Sequence, residues 1–83
     1  MNKSIIFEAL KKLLISNFEI DAASISPEKR LDDDLGLDSL DMVDIILYLK
    51  DYVSEKVDPG LFKNAHTVQD IINLIEPYWK HDL

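Results

Sequence analysis

The sequence predicts an all-α fold, a small bundle of three main helices plus one short helix. Apolar residues recur at intervals of three and four positions in three separate segments, which is the spacing of one helix face. No segment shows the sustained alternation of apolar and polar residues that is typical of a half-buried strand. A chain of 83 residues is also too short to divide its apolar residues between two cores. We therefore expect one domain over residues 1–83.

The first helix is predicted over about residues 3–17. Its apolar face consists of Ile6, Leu10, Leu13 and Leu14, with support from Ala9 and Phe18. Residues 18–37 then predict a long, partly structured loop, which contains a Ser26-Pro27 turn signal, three consecutive aspartates and Gly36.

The second helix is predicted from Ser39 to about Val53 and has the best-defined start. Asp38 stands where an N-cap belongs, and Asp41 follows in the first turn, where the helix dipole favours an acid. At about 100° per residue the apolar side chains separate onto two opposite faces. The residues predicted for the core are Met42, Ile45, Ile46, Leu49 and Val53.

The opposite face of the second helix carries apolar residues that the core does not require. Leu40, Val43 and Leu47 recur at i, i+3 and i+7. They are interleaved with Asp44 and Asp51. Apolar side chains beside carboxylates are typical of a small docking surface, where apolar contact supplies affinity and charge supplies steering. Spacing alone leaves open the alternative that the loop or the short helix covers these residues.

The second half of the chain predicts two further helices. Asp58-Pro59 is a cap followed by proline, which indicates one short helix of uncertain length. Thr67 and Asp70 resemble a capping box that opens the last helix, and Pro77 is expected to end or bend it. The apolar positions of the last helix are Val68, Ile71, Ile72 and Ile75.

The net charge of −7 is unevenly distributed along the chain. Residues 31–60 contain nine acidic residues and two lysines, so this segment carries the whole negative excess. Because negative charge repels phosphate backbones and anionic membrane surfaces, we predict no nucleic-acid binding. We expect this segment to attract basic partners, with a merely solvated acidic face as the alternative.

Several kinds of chemistry are excluded by composition. The chain has no cysteine, so disulfides, thiolate zinc sites and thiol nucleophiles are excluded, and any thiol would have to be imported. His66 and His81 show no metal-ligand spacing, and we predict no metal site. The N-terminal segment has no apolar stretch of signal-peptide or membrane-spanning length. We therefore expect a cytoplasmic protein without membrane insertion.

Ser39 is the candidate functional residue. Because Asp38 is the better cap, the Ser39 hydroxyl is left free where helix amides and the dipole favour an attached anion. Catalysis by Ser39 is not predicted, because its surroundings are not a G-x-S-x-G elbow and only two histidines are available as bases. Ser39 is therefore interpreted as a substrate for another enzyme.

The segment LGLDSLDMVDI, residues 35–45, resembles the modification motif of acyl carrier proteins. The resemblance covers nearly the whole chain, from the amphipathic first helix to the capped last helix. It implies that Ser39 carries 4′-phosphopantetheine, attached by a magnesium-dependent phosphopantetheinyl transferase, and that Asp38 flanks it. It also implies a carrier that holds acyl intermediates as thioesters, sheltered by the bundle core, for fatty-acid, lipid or specialised acyl-chain biosynthesis.

The resemblance further implies a partner face on the second helix. The positions that match the family's partner-recognition residues are Leu40, Asp41, Val43, Asp44 and Leu47. The implied partners, besides the transferase, are acyl synthases, ligases and transferases with basic docking surfaces. We expect the carrier to be a monomer.

The chain also departs from the usual carrier pattern. Positions that are commonly acidic in carriers of bulk fatty-acid synthesis read Lys50-Asp51-Tyr52, and residues 61–64 lack the usual acid. Val57-Asp58-Pro59 replaces the usual Ile-Pro-acid order. We hypothesise a dedicated carrier with its own ligase or synthase. Two alternatives remain: a peptidyl or aminoacyl carrier, and an acidic helical adaptor that never carries a cofactor.

Overall fold

The computed structural model describes residues 2–54, 56–58 and 60–80, and these residues form helices and loops. The three α-helices are α1 (Asn2–Phe18), α2 (Ser39–Tyr48) and α3 (Val68–Ile75). Three 3-10 turns cover Ala22–Ser24, Lys50–Tyr52 and Glu76–Tyr78. No β-strand is found in this part of the chain, which has only isolated bridges between Arg30 and Thr67 and between Val53 and Trp79. The predicted all-α class with three main helices is confirmed.

The core is one cluster of apolar side chains to which all three helices contribute. The four residues predicted for the α1 face, the five predicted after Ser39 and the four predicted for α3 are each at most 8% exposed. Phe62, from the segment between α2 and α3, is completely buried. Burial of a leucine, isoleucine or phenylalanine side chain contributes roughly 1.5–3 kcal/mol each, so this cluster is the main source of stability.

The α2 helix ends earlier than its periodicity predicts. It stops at Tyr48 and continues as the 3-10 turn Lys50–Tyr52, after which Val53 is extended. The reason is tertiary: the Ser54 N–H donates to the Tyr78 carbonyl at 2.8 Å, and the Lys80 N–H donates to the Tyr52 carbonyl at 2.9 Å. These two bonds flank the bridge between Val53 and Trp79, which requires extended backbone at Val53. The side chains predicted for the core stay buried because a 3-10 turn keeps Val53 on the inner side.

The short helix predicted after Asp58 is replaced by turns. Pro59, on which this prediction partly depended, lies outside the described residues, as does His81. Residues 60–64 form successive turns. The Asp58 carboxylate accepts a hydrogen bond from the Gly60 N–H at 3.1 Å, a local bond that competes with a helical ladder. The burial of Phe62 then holds this segment against the core.

The loop between α1 and α2 is tied to the start of α3. The Leu31 N–H donates to the His66 carbonyl, the Val68 N–H to the Lys29 carbonyl and the Gln69 N–H to the Pro27 carbonyl, at 2.8–3.1 Å. The predicted Ser26-Pro27 turn is confirmed, because the Lys29 N–H closes it on the Ser26 carbonyl. These bonds place the loop residues that precede Ser39.

Gly36 makes the final bend of this loop before α2. Its φ is +69°, in the left-handed region that side chains with a Cβ rarely adopt. A Cβ added at this position would meet open space, so the requirement for glycine is conformational.

None of the described helices is long and apolar enough to cross a bilayer.

Candidate functional site

The start of α2 is held by a reciprocal pair of aspartates. The Asp38 carboxylate accepts a hydrogen bond from the Asp41 N–H at 3.0 Å, and the Asp41 carboxylate accepts one from the Asp38 N–H at 3.0 Å. This is a capping box, which satisfies helix amides that have no partner within the helix. The prediction that Asp38 caps the helix is confirmed.

Ser39 is the first residue of α2, and its side chain is exposed. Among the described residues its hydroxyl has no hydrogen-bond partner, because Asp38 already serves as the cap. The first helical turn concentrates positive partial charge, so an anion attached to this hydroxyl would be stabilised. The geometry therefore suits a covalent phosphodiester, with an accessible oxygen outside the core.

A half-open cavity of about 440 Å³ lies beside Ser39. It is enclosed by the first turns of α2, the end of the preceding loop and the segment 60–66. Its apolar lining includes the buried side chains Leu31, Leu37, Met42 and Phe62. Its polar lining includes Asp32, Asp38, Lys63 and His66. Sequence reasoning did not find Lys63 or His66 as neighbours of the serine, because backbone bonds between distant segments bring them there.

His66 borders the same cavity as Ser39, but no hydrogen bond joins their side chains in the described structure. The His66 N–H donates to the Asp70 carboxylate at 2.9 Å, and the Thr67 N–H donates to the same oxygen. These bonds lower the pKa of Asp70. The carboxylate thus completes the α3 capping box, as predicted from Thr67 and Asp70.

The three consecutive aspartates before α2 make hydrogen bonds and ion pairs within the loop. The Arg30 guanidinium lies 3.6 Å from the Asp32 carboxylate and 3.4 Å from that of Asp33. The Asp34 carboxylate accepts a hydrogen bond from the backbone N–H of Arg30. The hydrogen bond from the Asp33 N–H lowers the pKa of Asp32. Part of the acidic charge of residues 31–60 is therefore paired within the loop.

The outer face of α2 remains uncovered. Leu40 is 74% exposed, Leu47 57% and Val43 38%, so neither the loop nor residues 60–64 cover them. Asp44 is also exposed, whereas Asp41 is half-buried in the capping box. The structure thus brings four of the five predicted partner-face residues together at the surface.

The far end of α2 carries exposed residues that sequence reasoning did not select. Tyr48 and Tyr52 are 48% and 41% exposed, and they border a groove of about 600 Å³ against α1. The Tyr48 ring packs edge-to-face on Phe18, with 6.1 Å between ring centroids. The signal available in the sequence was the pair of tyrosines four positions apart, one helical turn from each other.

The fold and the site define a class of protein: a small helical carrier that presents one serine at a helix start beside an exposed apolar and acidic helix face. The family model described as a phosphopantetheine attachment site matches residues 8–75. The chain is 34% identical to acyl carrier protein 2 of Ralstonia nicotianae over 76 residues, which is 92% of this chain and 94% of the relative. It is 35% identical to the acyl carrier protein of Thermotoga maritima over 71 residues, 86% of this chain and 88% of the relative.

A third relative, the acyl carrier protein of Helicobacter hepaticus, is 31% identical over 70 residues, 84% of this chain and 92% of the relative. The chain belongs to the acyl carrier protein family. It is a carrier and not a catalyst, and its cofactor is phosphopantetheine. Its general partners are a phosphopantetheinyl transferase and enzymes that handle acyl groups.

Proposed function

We propose that Ser39 is the residue that receives 4′-phosphopantetheine, within one carrier domain over residues 1–83. The observation that carries this proposal is the exposed hydroxyl at the first position of α2, directly after the Asp38 cap; this hydroxyl has no hydrogen-bond partner within residues 2–54, 56–58 and 60–80. In the transfer, a phosphodiester bond forms at the Ser39 oxygen and the pyrophosphate bond of coenzyme A breaks. The serine proton leaves, and the nucleotide part of coenzyme A is released.

The residues around Ser39 have separate tasks in this proposal. Asp38 and Asp41 hold the first turn, so the hydroxyl has a fixed position. The first-turn amides stabilise the negative phosphodiester. When bound, the group supplies the terminal thiol that this cysteine-free chain lacks, and acyl intermediates are held there as thioesters. The core and the adjoining cavity would shelter an apolar acyl chain from water.

The exposed α2 face is proposed as the docking surface for partner enzymes. Leu40, Val43 and Leu47 would contribute apolar contact, and Asp44 would meet a basic group of the partner. Asp41 would act at the edge of this surface, since its carboxylate also completes the capping box. Partners with basic docking surfaces fit this arrangement. We propose a monomeric carrier in the cytoplasm.

A dedicated pathway fits the far end of α2 better than bulk fatty-acid synthesis. Lys50 is exposed just beyond α2, where general carriers commonly have acid. Lys63, in the segment where an acid is usual, lies instead at the cavity beside Ser39, near the start of α2. A partner of this carrier therefore meets a less negative surface beyond Leu47. We expect the chain to replace the general carrier of a host poorly in a complementation assay. Full complementation would contradict the dedicated role and leave the carrier function intact.

The attachment site is tested by incubation with coenzyme A, magnesium and a broad-specificity phosphopantetheinyl transferase. We expect intact-mass spectrometry to show one added phosphopantetheinyl group on the chain and none on Ser39→Ala. Ser24→Ala is the matched control, because it removes a serine hydroxyl away from α2. Failure to modify the folded wild-type chain would contradict this proposal and favour the adaptor interpretation, in which the α2 face binds partners without a cofactor.

A further inference from the structure

The polar groups that border the cavity beside Ser39 differ in whether they already have partners. The Asp38 carboxylate is used in the helix cap. The Asp32 carboxylate accepts the Asp33 N–H at 2.7 Å and lies beside the Arg30 guanidinium. Both acids therefore make bonds within the loop and the helix cap. Lys63 borders the same cavity, and it has no ion-pair partner among the described residues.

The other basic side chain at this cavity is His66, and it is not equivalent to Lys63. Of these two residue types, lysine is the one that is fully charged at neutral pH. Lys63 is exposed and sits in a segment whose position is set by the fully buried Phe62 next to it. Lys63 is the one lysine or arginine among the residues that line this cavity, and it forms no ion pair with any described residue.

We propose that Lys63 is the counter-ion of the phosphodiester at Ser39 and that the arm rests in this cavity between partner encounters. This inference depends on the carrier function proposed above. Ser39 and Lys63 border one cavity of about 440 Å³, so an anion fixed at Ser39 lies on the same small opening as Lys63, which has no ion-pair partner in the described part of the chain. The apolar floor formed by Met42 and Phe62 gives the apolar part of the arm a surface on which to pack.

The strength of this contact follows from tethering. An ion pair at an exposed site is weak, because water and salt screen it. A tethered phosphodiester, however, has a high effective concentration at a site within its reach, so a weak contact is enough to bias its position. We expect a few-fold bias toward the cavity and not a locked arm. A basic partner surface would compete with Lys63 for the same phosphodiester and would release the arm toward the partner.

The test uses the holo protein with isotope-labelled chain and arm. In the wild type we expect nuclear Overhauser contacts between arm protons and the side chains of Phe62 and Met42, and these contacts should weaken as salt is raised. Lys63→Glu should reduce the contacts by about 2- to 5-fold, the range of a lost exposed ion pair. Lys63→Gln should give a smaller loss. Lys56→Glu is the matched control, because Lys56 is exposed but does not border the cavity, and it should leave the contacts unchanged.

The outcomes separate this inference from the carrier function. If the wild-type chain gains no phosphopantetheinyl mass at Ser39, the carrier proposal itself fails. If modification is complete but the arm shows no contact with Phe62 or Met42, only the resting site is overturned. Equal losses in Lys63→Glu and Lys56→Glu would also overturn it, because a general charge effect would then explain the result. Far-UV circular dichroism of each variant establishes that the helices are retained.

Discussion

The two ends of α2 differ in charge, in backbone and in neighbours. At its start, the aspartate pair Asp38 and Asp41 fixes a regular first turn, and Ser39 faces solvent beside a half-open cavity. At its far end the helix tightens into the 3-10 turn Lys50–Tyr52 and pairs with residues 78–80. Tyrosines and a lysine are exposed there.

This difference indicates a division of tasks along one helix. The start carries the features that the proposed attachment at Ser39 needs, namely a capped turn and a hydroxyl that no described residue engages. The far end carries exposed tyrosines, Lys50 and Asp51, which the proposed attachment does not need, so we expect this surface to discriminate between partners. The following experiments test this division, in order of decreasing expected effect.

The largest effect is expected where the far end of α2 enters the core. Leu49 is 1% exposed, so Leu49→Ala should lower the free energy of unfolding by about 2–5 kcal/mol through lost burial and a cavity. Leu47→Ala is the matched control, because Leu47 is 57% exposed, and its effect should stay within about 0.5 kcal/mol. Urea denaturation measures both. Similar losses for the two variants would show that the buried and exposed faces are wrongly assigned.

The next effect concerns the cap at the start of α2. Asp38→Ala removes the acceptor for the Asp41 N–H and should cost about 0.5–2 kcal/mol of stability. It should also slow modification of Ser39, because the first turn would fray. Asp44→Ala removes an exposed carboxylate that makes no cap bond, so thermal unfolding should change little. A stable, normally modified Asp38→Ala protein would contradict the role of the cap.

A smaller effect is expected from charge at the far end. Lys50→Glu restores an acid of the type common in general carriers, and it should strengthen binding to a ketosynthase of bulk fatty-acid synthesis by about 2- to 5-fold, as one added exposed ion pair would. Lys56→Glu makes the same charge change after the 3-10 turn Lys50–Tyr52, farther along the chain from α2, and should not strengthen binding. Isothermal titration of holo proteins measures both affinities. Equal gains would indicate that net charge alone, and not the far end of α2, decides partner choice.

The smallest effect is a pH dependence at the start of α3, whose cap is of the same type as that of α2. Hydrogen bonds from the N–H groups of His66 and Thr67 lower the pKa of Asp70 below its ordinary value of 3.8. A lowered pKa in the folded state contributes stability above the unfolded value, and this contribution is lost as the pH falls through the folded-state pKa. Asp70→Asn should therefore unfold with a shallower dependence on pH below about 4 than the wild type. Identical acid-unfolding curves would contradict this.

The local features of this molecule could be predicted from the sequence alone. The faces of α1 and α3 and the capping residues Asp38 and Thr67 depend on spacings of three and four residues, which are visible along the chain. The exposure of Ser39 followed from the same reasoning, because a better cap precedes it. Each of these features is determined within one or two helical turns.

Features that depend on distant segments could not be predicted in the same way. The end of α2 is decided by hydrogen bonds to residues 78–80, and the segment after Asp58 is decided by the burial of Phe62. Lys63 reaches the serine cavity only because the loop and the start of α3 are joined by backbone bonds. The pairing of Arg30 with the neighbouring aspartates likewise depends on the shape of the loop.

The stacked pair of Tyr52 and Trp79 has a practical consequence. The two rings lie nearly parallel, with 5.6 Å between their centroids, and Trp79 is the only tryptophan of the chain. The indole emission therefore reports from one place, the junction where the chain end meets the last turn after α2. An enzyme that binds at this end of the helix is expected to shift the emission wavelength or intensity of Trp79. Trp79 fluorescence is thus an intrinsic probe of the surface that we propose for partner discrimination.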